Sequence, residues 1–293
     1  MRKFFKTVRT YYRNIRESED WFWFTIWFLG LVFLWIWNLL FLNTPALQQV
    51  ETGFINTILV AFLVIVFAAV LGWGTTILDL WFTRKFPVLH LILVFFINLI
   101  RSVPQIVGIL AGYMVLTFLI QAQVLISDFL ILVSMSFIIA VFVFLEIFDL
   151  LQERIAYFRR LDFFDAMLVC GISERYIINR EIILRSSLMQ IVNKMISIFG
   201  AAIFLLCSID FIISVGLSTD VSLVNLPVTL GSLLAKIDSK QDILAIGHTL
   251  THWDYIFRLP FEHLQGITIS FVIVFTLLCM YQIANGFSRR LQP

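Results

Sequence analysis

Apolar residues run along this chain in blocks of about 20 or more, the length a helix needs to cross the ~30 Å hydrocarbon core of a bilayer. Short charged or proline-bearing stretches separate the blocks. The first predicted span is Trp21 to Leu42, followed by a short outer loop holding Pro45 and Glu51. The second, Phe54 to Leu78, returns to Arg84 and Lys85. The apolar run from Pro87 to Ile120 is too long for one straight crossing, and Arg101 and Pro104 interrupt it. It divides into an amphipathic or kinked lead-in, Pro87 to Ile100, and a crossing from about Pro104 to Leu125. Asp128 marks an outer turn, and Phe129 to Leu145 leads back to a charged stretch. A fifth span, Ile191 to Val215, carries Lys194 and Asp210 near its two ends, where both side chains are expected to reach interfacial water. Residues 216–263 form the longest outer segment, with Pro227, Gly231, Gly247 and Pro260 as breakers and short helices dipping into the outer leaflet. The sixth span, Leu264 to Phe287, is stopped by Arg289 and Arg290.

The predicted class is all-α, a polytopic membrane protein with six transmembrane helices. Composition agrees: 60% of residues are hydrophobic, 14% are charged and the mean hydropathy is +0.96, outside the range of soluble domains. The net charge of +2 matters less than which loops hold the basic residues. Of 21 Lys and Arg, 18 fall on one side of the six-span layout, and only Lys236, Lys240 and Arg258 fall on the other. The positive-inside rule makes the first side cytoplasmic, with both termini there. The tail from Met1 to Asp20, with Arg2, Lys3, Lys6, Arg9, Arg13 and Arg16, suits a cytoplasmic membrane surface. Trp21 to Leu42 is too long and bulky for a cleavable signal and reads as a retained helix. Cys170, Cys207 and Cys279 lie in or beside apolar stretches and are expected as buried free thiols.

Within the charged stretch from Arg154 to Arg185, an elbow reads helix, Gly171-Ile172-Ser173, helix. Gly171 can take the left-handed conformation that ends one helix, and Ser173 can cap the next, so two short helices meet at a fixed angle. Ala166 permits close approach by a partner surface, and Phe163, Phe164 and Met167 offer apolar contacts. The plainer reading is a cytoplasmic helical loop covered by its own bundle.

The run Phe163-Phe164-Asp165-Ala166-Met167-Leu168-Val169-Cys170-Gly171 resembles the cytoplasmic Glu-Ala-Ala-x3-Gly loop by which permease subunits of binding-protein-dependent ABC importers dock on their ATPases. Asp165 stands at the motif's Glu, Ala166 at its first Ala, Gly171 at its Gly, and Ile182-Ile183 at the apolar pair near its end. Met167 replaces the second Ala, and Leu184 sits where a Pro usually follows. The lead-in from Leu151-Gln152-Glu153-Arg154, the Phe257-Arg258-Leu259-Pro260 that opens the last span, and the closing Asn285-Gly286-Phe287-Ser288-Arg289-Arg290-Leu291-Gln292-Pro293 are similar to the peptide/nickel class. With Asn56-Thr57 and Arg101-Ser102-Val103-Pro104, the similarity covers about residues 54–293. The Arg-Ser-Val-Pro element is shared with the amino-acid, methionine and phosphonate classes.

The resemblance implies a methionine-permease-like fold with residues 1–53 as tail and first helix and 54–293 as permease core, including the elbow 154–185 and the outer segment 216–263. It implies ATPase coupling through Phe163, Phe164, Asp165, Ala166, Met167, Gly171, Ser173 and Glu174. It also implies a second homologous permease, two ATP-binding cassette ATPases, an extracytoplasmic substrate-binding protein, a bacterial inner-membrane location, and a peptide or nickel cargo. ATP and Mg would sit on the partner subunits, because the chain has no Gly-x4-Gly-Lys-Ser/Thr motif and no nucleophile–base pair. No enzymatic activity, resident cofactor or nucleic-acid partner is expected.

Arg101, Ser102 and Pro104 have two readings: a pore-lining hinge near the inner gate, or a helix start with Pro104 near its first position and Arg101 on lipid phosphate. His248 and His252 are spaced i, i+4 with Asp254 nearby, a pattern able to chelate a metal. Without a His-Glu-x-x-His arrangement or a nearby Cys, these side chains read as water-facing and no metal site is assigned. His90 and His263 read as interfacial. Other classes remain open on the residues alone: an ion-coupled secondary carrier, or a membrane scaffold whose elbow holds a partner.

Overall fold

A computed structural model describes residues 19–42, 44–216, 226–236, 244–245, 247–258 and 264–291. The N-terminal basic tail, Lys240, His263 and Pro293 lie outside the described residues. The chain is all-helical, with no strand among the described residues. Four helices are long and apolar enough to cross a membrane, and the number rises to six if each of two bent helix pairs is one span.

Helix α1, Glu19–Phe41, is followed almost at once by α2, Thr44–Lys85. The expected outer loop is therefore not a loop, since Pro45 and Glu51 lie in the first turns of α2. Proline is tolerated there because the first helical N–H groups have no partner within the helix. With 42 residues, α2 is about 63 Å long at ~1.5 Å per residue. That is about twice the hydrocarbon thickness, so it also supplies structure beyond the membrane at its ends. One face carries the buried residues Thr57, Val60, Val64, Ala68, Gly72 and Thr76. Their spacing of three or four puts them on one stripe, and their small size lets neighbouring backbones approach, the usual source of helix association in lipid. At Gly72 a Cβ would lie 2.8 Å from the Ile147 side chain and 3.2 Å from the Phe144 carbonyl oxygen.

Helices α3, Pro87–Ser102, and α4, Gln105–Gln121, meet at a bend of 101°. The break falls at the expected position. Helix α5, Asp128–Val143, continues through a 42° bend at Phe144 into α6, Leu145–Phe158. The elbow follows as α7, Asp162–Val169, the single turn α8, Glu174–Tyr176, and a π-helix, Ile177–Ser186. Helix α9, Leu188–Gly216, short α10, Leu230–Leu234, a 3-10 turn at Trp253–Phe257, and α11, Leu264–Leu291, complete the described chain.

The core is formed where α2, α4, α5, α6, α9 and one face of α11 pack together, and α1 lies outside it against α11. Trp27 Nε1 donates to Thr276 Oγ1 at 3.2 Å and Thr268 Oγ1 donates to Asn38 Oδ1 at 3.2 Å, joining α1 to α11. The other faces of α1 expose Trp21, Phe24, Phe28, Phe33 and Trp35, as lipid-facing and belt aromatics would be.

Polar side chains bond at two ends of the bundle. At one end Gln152 Nε2 donates to Asp79 Oδ2 at 2.7 Å, His90 Nδ1 lies 3.2 Å from Asp79, Arg101 pairs with Asp149, and Lys194 pairs with Glu146 at 3.0 Å. At the other end Trp35 Nε1 donates to Glu51 at 2.9 Å, Asn56 Nδ2 to the Val228 carbonyl at 2.8 Å, and Lys236 Nζ to Gln49 at 2.9 Å. The elbow belongs to the first, more basic end. Lys194 is thus paired rather than reaching interfacial water alone. The expectation for Asp210 is overturned outright: it is 4% exposed and enclosed by protein. The reason is tertiary, because α10 folds back over the part of α9 farthest from the elbow and covers it.

Candidate functional site

The joint of the elbow is built from backbone bonds. Gly171 has φ +81°, the left-handed conformation that costs a residue with a Cβ roughly 1–2 kcal/mol. The Gly171 N–H donates to the Leu168 carbonyl at 3.0 Å and the Ile172 N–H to the Met167 carbonyl at 3.2 Å. These are the two bonds of a Schellman motif, which satisfies the orphan carbonyls at the end of α7. Its usual apolar contact has its partners in place, since Ile172 and Met167 are both half-buried against the core. A Cβ on Gly171 would meet nothing within 4 Å, so conformation alone demands glycine there.

Ser173 occupies the cap position of α8 with extended backbone, but its side chain makes no cap hydrogen bond. Its carbonyl takes the N–H groups of Tyr176 and Ile177 at 2.9 and 3.1 Å. The expected side-chain cap is therefore a backbone one. Beyond it, Ile177, Ile178, Ile182 and Ile183 are all buried. Spacing of five repeats one face in a π-helix, whose bonds run i to i+5, so the two Ile pairs stack on the core side. The expected apolar pair Ile182-Ile183 is thus interior, and Leu184 is exposed.

Two side-chain ties brace the elbow, one within it and one to Ser187 just ahead of α9. Arg159 and Glu174 form an ion pair at 2.6 Å that bridges the chain before α7 to the chain after the joint. Arg154 Nε donates to Ser187 Oγ at 3.3 Å while its guanidinium lies over the Tyr157 and Phe158 rings. Glu174, expected at the docking surface, is therefore engaged within the elbow. Phe164 is 6% exposed and packs inward, so it stabilises the elbow and offers nothing to a partner. The inward residues of a helix this short cannot also face out.

The outward face of α7 carries Phe163, Asp165, Ala166, Leu168 and Val169, with Val169 87% exposed. Cys170 is exposed too, against the expectation of a buried thiol, because the Schellman turn projects it away from the core. Cys207 and Cys279 are buried as expected. A cleft of about 640 Å³ separates the elbow from the end of α2, lined by Ile77, Trp81, Lys85, Glu174, Arg175 and Asn179. Trp73 Nε1 donates to Asn179 Oδ1 at 3.2 Å beside it.

Arg101, Ser102 and Pro104 form the break between α3 and α4, not part of the elbow. Pro104 stands at the N-cap of α4, and Ser102 Oγ donates to the Leu99 carbonyl at 2.7 Å. Arg101 pairs with Asp149 of α6, so its partner is a protein carboxylate. Asp149 also lines a second cleft of about 660 Å³ with Glu146, Glu153, Asn193, Lys194 and Ser288.

His248 and His252 stack with ring centroids 4.3 Å apart, and both are exposed. No group of three possible metal ligands occurs among the described residues. What the sequence reading missed is the seat of α10 on α2 and α9. Thr57 Oγ1 accepts from the Leu230 N–H at 3.0 Å, and Thr229 and Ser232 form a reciprocal cap. The Thr-x-x-Ser spacing ahead of Leu233-Leu234 was its available signal. No family model matches the chain, and no curated protein matches it.

Proposed function

We propose that the chain is the permease subunit of an ATP-driven ABC importer of the bacterial inner membrane, with six spans and the elbow on the cytoplasmic side. The carrying observation is the α7–α8 joint, whose backbone is locked at Gly171 while Phe163, Leu168 and Val169 stay exposed on a charged segment at the basic end. Exposed apolar side chains on a rigid, non-lipid element mark a protein-docking surface. A separate ATPase gripping α7 moves the π-helix and α9 with it, because Arg159–Glu174 and Arg154–Ser187 transmit the displacement. A second permease completes the path, a binding protein delivers cargo at the outer segment, and by resemblance the cargo is a peptide or nickel.

The test is co-purification from membranes with the ATPase encoded beside the gene, using the wild-type chain and Phe163→Asp/Val169→Asp. Loss of the ATPase from the variant with unchanged membrane insertion supports coupling. An external position for tags within residues 160–185 overturns it.

A second reading, an ion-coupled carrier, is favoured by one pair of features: the 101° break between α3 and α4 and the buried carboxyl of Asp210. Broken helices and enclosed ionisable groups are what such carriers use. Transport by the purified chain alone in vesicles selects that reading.

A further inference from the structure

Asp210 has no part in the coupling scheme, and its surroundings are unusual for a carboxyl group. Oδ2 accepts a hydrogen bond from Thr229 Oγ1, while Oδ1 is buried with no partner. On α2 the Thr57 hydroxyl, which seats α10, is already engaged by the Gly53 carbonyl and the Leu230 N–H. From α10 come Thr229 and the backbone at Gly231. Among the described residues, the titratable groups near it are Tyr113 of α4 and Cys207 of α9 itself, and both are acids. Tyr113 is 1% exposed and its hydroxyl also has no partner. No Lys, Arg or His among the described residues pairs with Asp210.

An ionised carboxylate enclosed without a countercharge is the most unfavourable state available to this group, and neutralisation is the ordinary relief. Hydration is blocked by packing. A Cβ on Gly231 would stand 2.6 Å from the Cys207 backbone and 3.0 Å from the Asp210 Cβ, so no space for a solvating water remains on that side unless α10 lifts.

We propose that Asp210 is a proton-binding site: it stands in the folded protein as a neutral carboxylic acid, and the bound proton keeps α10 seated on α9 and α2. Ionisation draws water to the carboxylate and unseats α10, opening the outer end of the bundle. This holds whichever transport reading is right.

The test uses the full chain in phosphatidylethanolamine/phosphatidylglycerol vesicles. Infrared spectra at neutral pH contain a free-acid carbonyl band that disappears in Asp210→Asn and in Asp210→Leu, the second variant covering failure of the first to accumulate. In a Cys170→Ser background, Leu234→Cys on α10 is labelled with a maleimide severalfold faster at alkaline than at neutral pH, relative to the same protein carrying a neutral residue at 210. That ratio cancels the thiol's own ionisation. Absence of the acid band, a labelling ratio independent of pH, or sodium-dependent thermal stabilisation without an acid band overturns the proposal.

Discussion

Replacing Gly231 by alanine adds one methyl group at the tight backbone approach between α10 and α9, at the end of the bundle away from the elbow. The new Cβ would lie 2.6 Å from both the Cα and the carbonyl oxygen of Cys207. Optimal carbon contacts are ~3.5–4.0 Å, so α10 and α9 must separate by roughly 1 Å. No flexible side chain can absorb this, because the obstructing atoms are backbone. A shift of that size stretches the Leu230 N–H to Thr57 bond, now 3.0 Å, and the Thr229 to Asp210 bond beyond useful length. The stretched bonds, each worth about 1 kcal/mol net, are part of an overpacking cost of about 1–3 kcal/mol, so a loss of about 1–3 kcal/mol is expected. At roughly 2–4 °C per kcal/mol for chains of this order of size, the apparent melting temperature in detergent falls by about 2–12 °C. Gly74→Ala is the control, since a Cβ there meets nothing within 4 Å inside α2. It should gain about 0.5–1 kcal/mol, as alanine does over glycine in a helix interior. A Gly231→Ala protein as stable as wild type, or less affected than Gly74→Ala, would refute the reasoning.

Under the proposed coupling role, Gly171→Val should leave insertion intact and uncouple uptake from ATP hydrolysis, whereas Gly171→Asn should retain most coupling because Asn tolerates the left-handed region; reconstituted uptake and ATPase rates compare the two. Phe164→Ala should cost about 3–5 kcal/mol in thermal unfolding as a buried aromatic, while the exposed Phe163→Ala should leave melting unchanged and weaken ATPase capture. Disrupting the partly exposed Arg159–Glu174 pair by Arg159→Ala should cost no more than about 1 kcal/mol. The charge-swapped double variant Arg159→Glu/Glu174→Arg should recover elbow geometry better than either single swap, read from ATPase co-purification.

Long apolar helices, four of them or up to six if each bent pair is one span, were legible because a bilayer imposes a length and an apolar content that few other folds need. The α3–α4 break was legible from Arg101 and Pro104, since proline disfavours helix in the residue before it. Gly171 was legible for a similar reason: its local bonding pattern needs a residue without Cβ. Less was readable where contact partners decide the outcome. Phe163 and Phe164 are identical side chains in adjacent positions, and only the docking of α7 sends one outward and the other into the core. Ser173 looked like a side-chain cap, but its carbonyl serves instead. Pro45 and Glu51 looked like loop residues, yet a helix can begin with them.

Asp210 draws the boundary most plainly. Local pattern decided that this stretch is a helix of membrane length, because hydrophobicity and periodicity act on neighbours along the chain. Whether its carboxyl would meet water or protein depended on Thr229, 19 residues away, folding back with Gly231 small enough to let two backbones touch. Burial of that kind is a property of distant segments brought together, and only the packed molecule holds it.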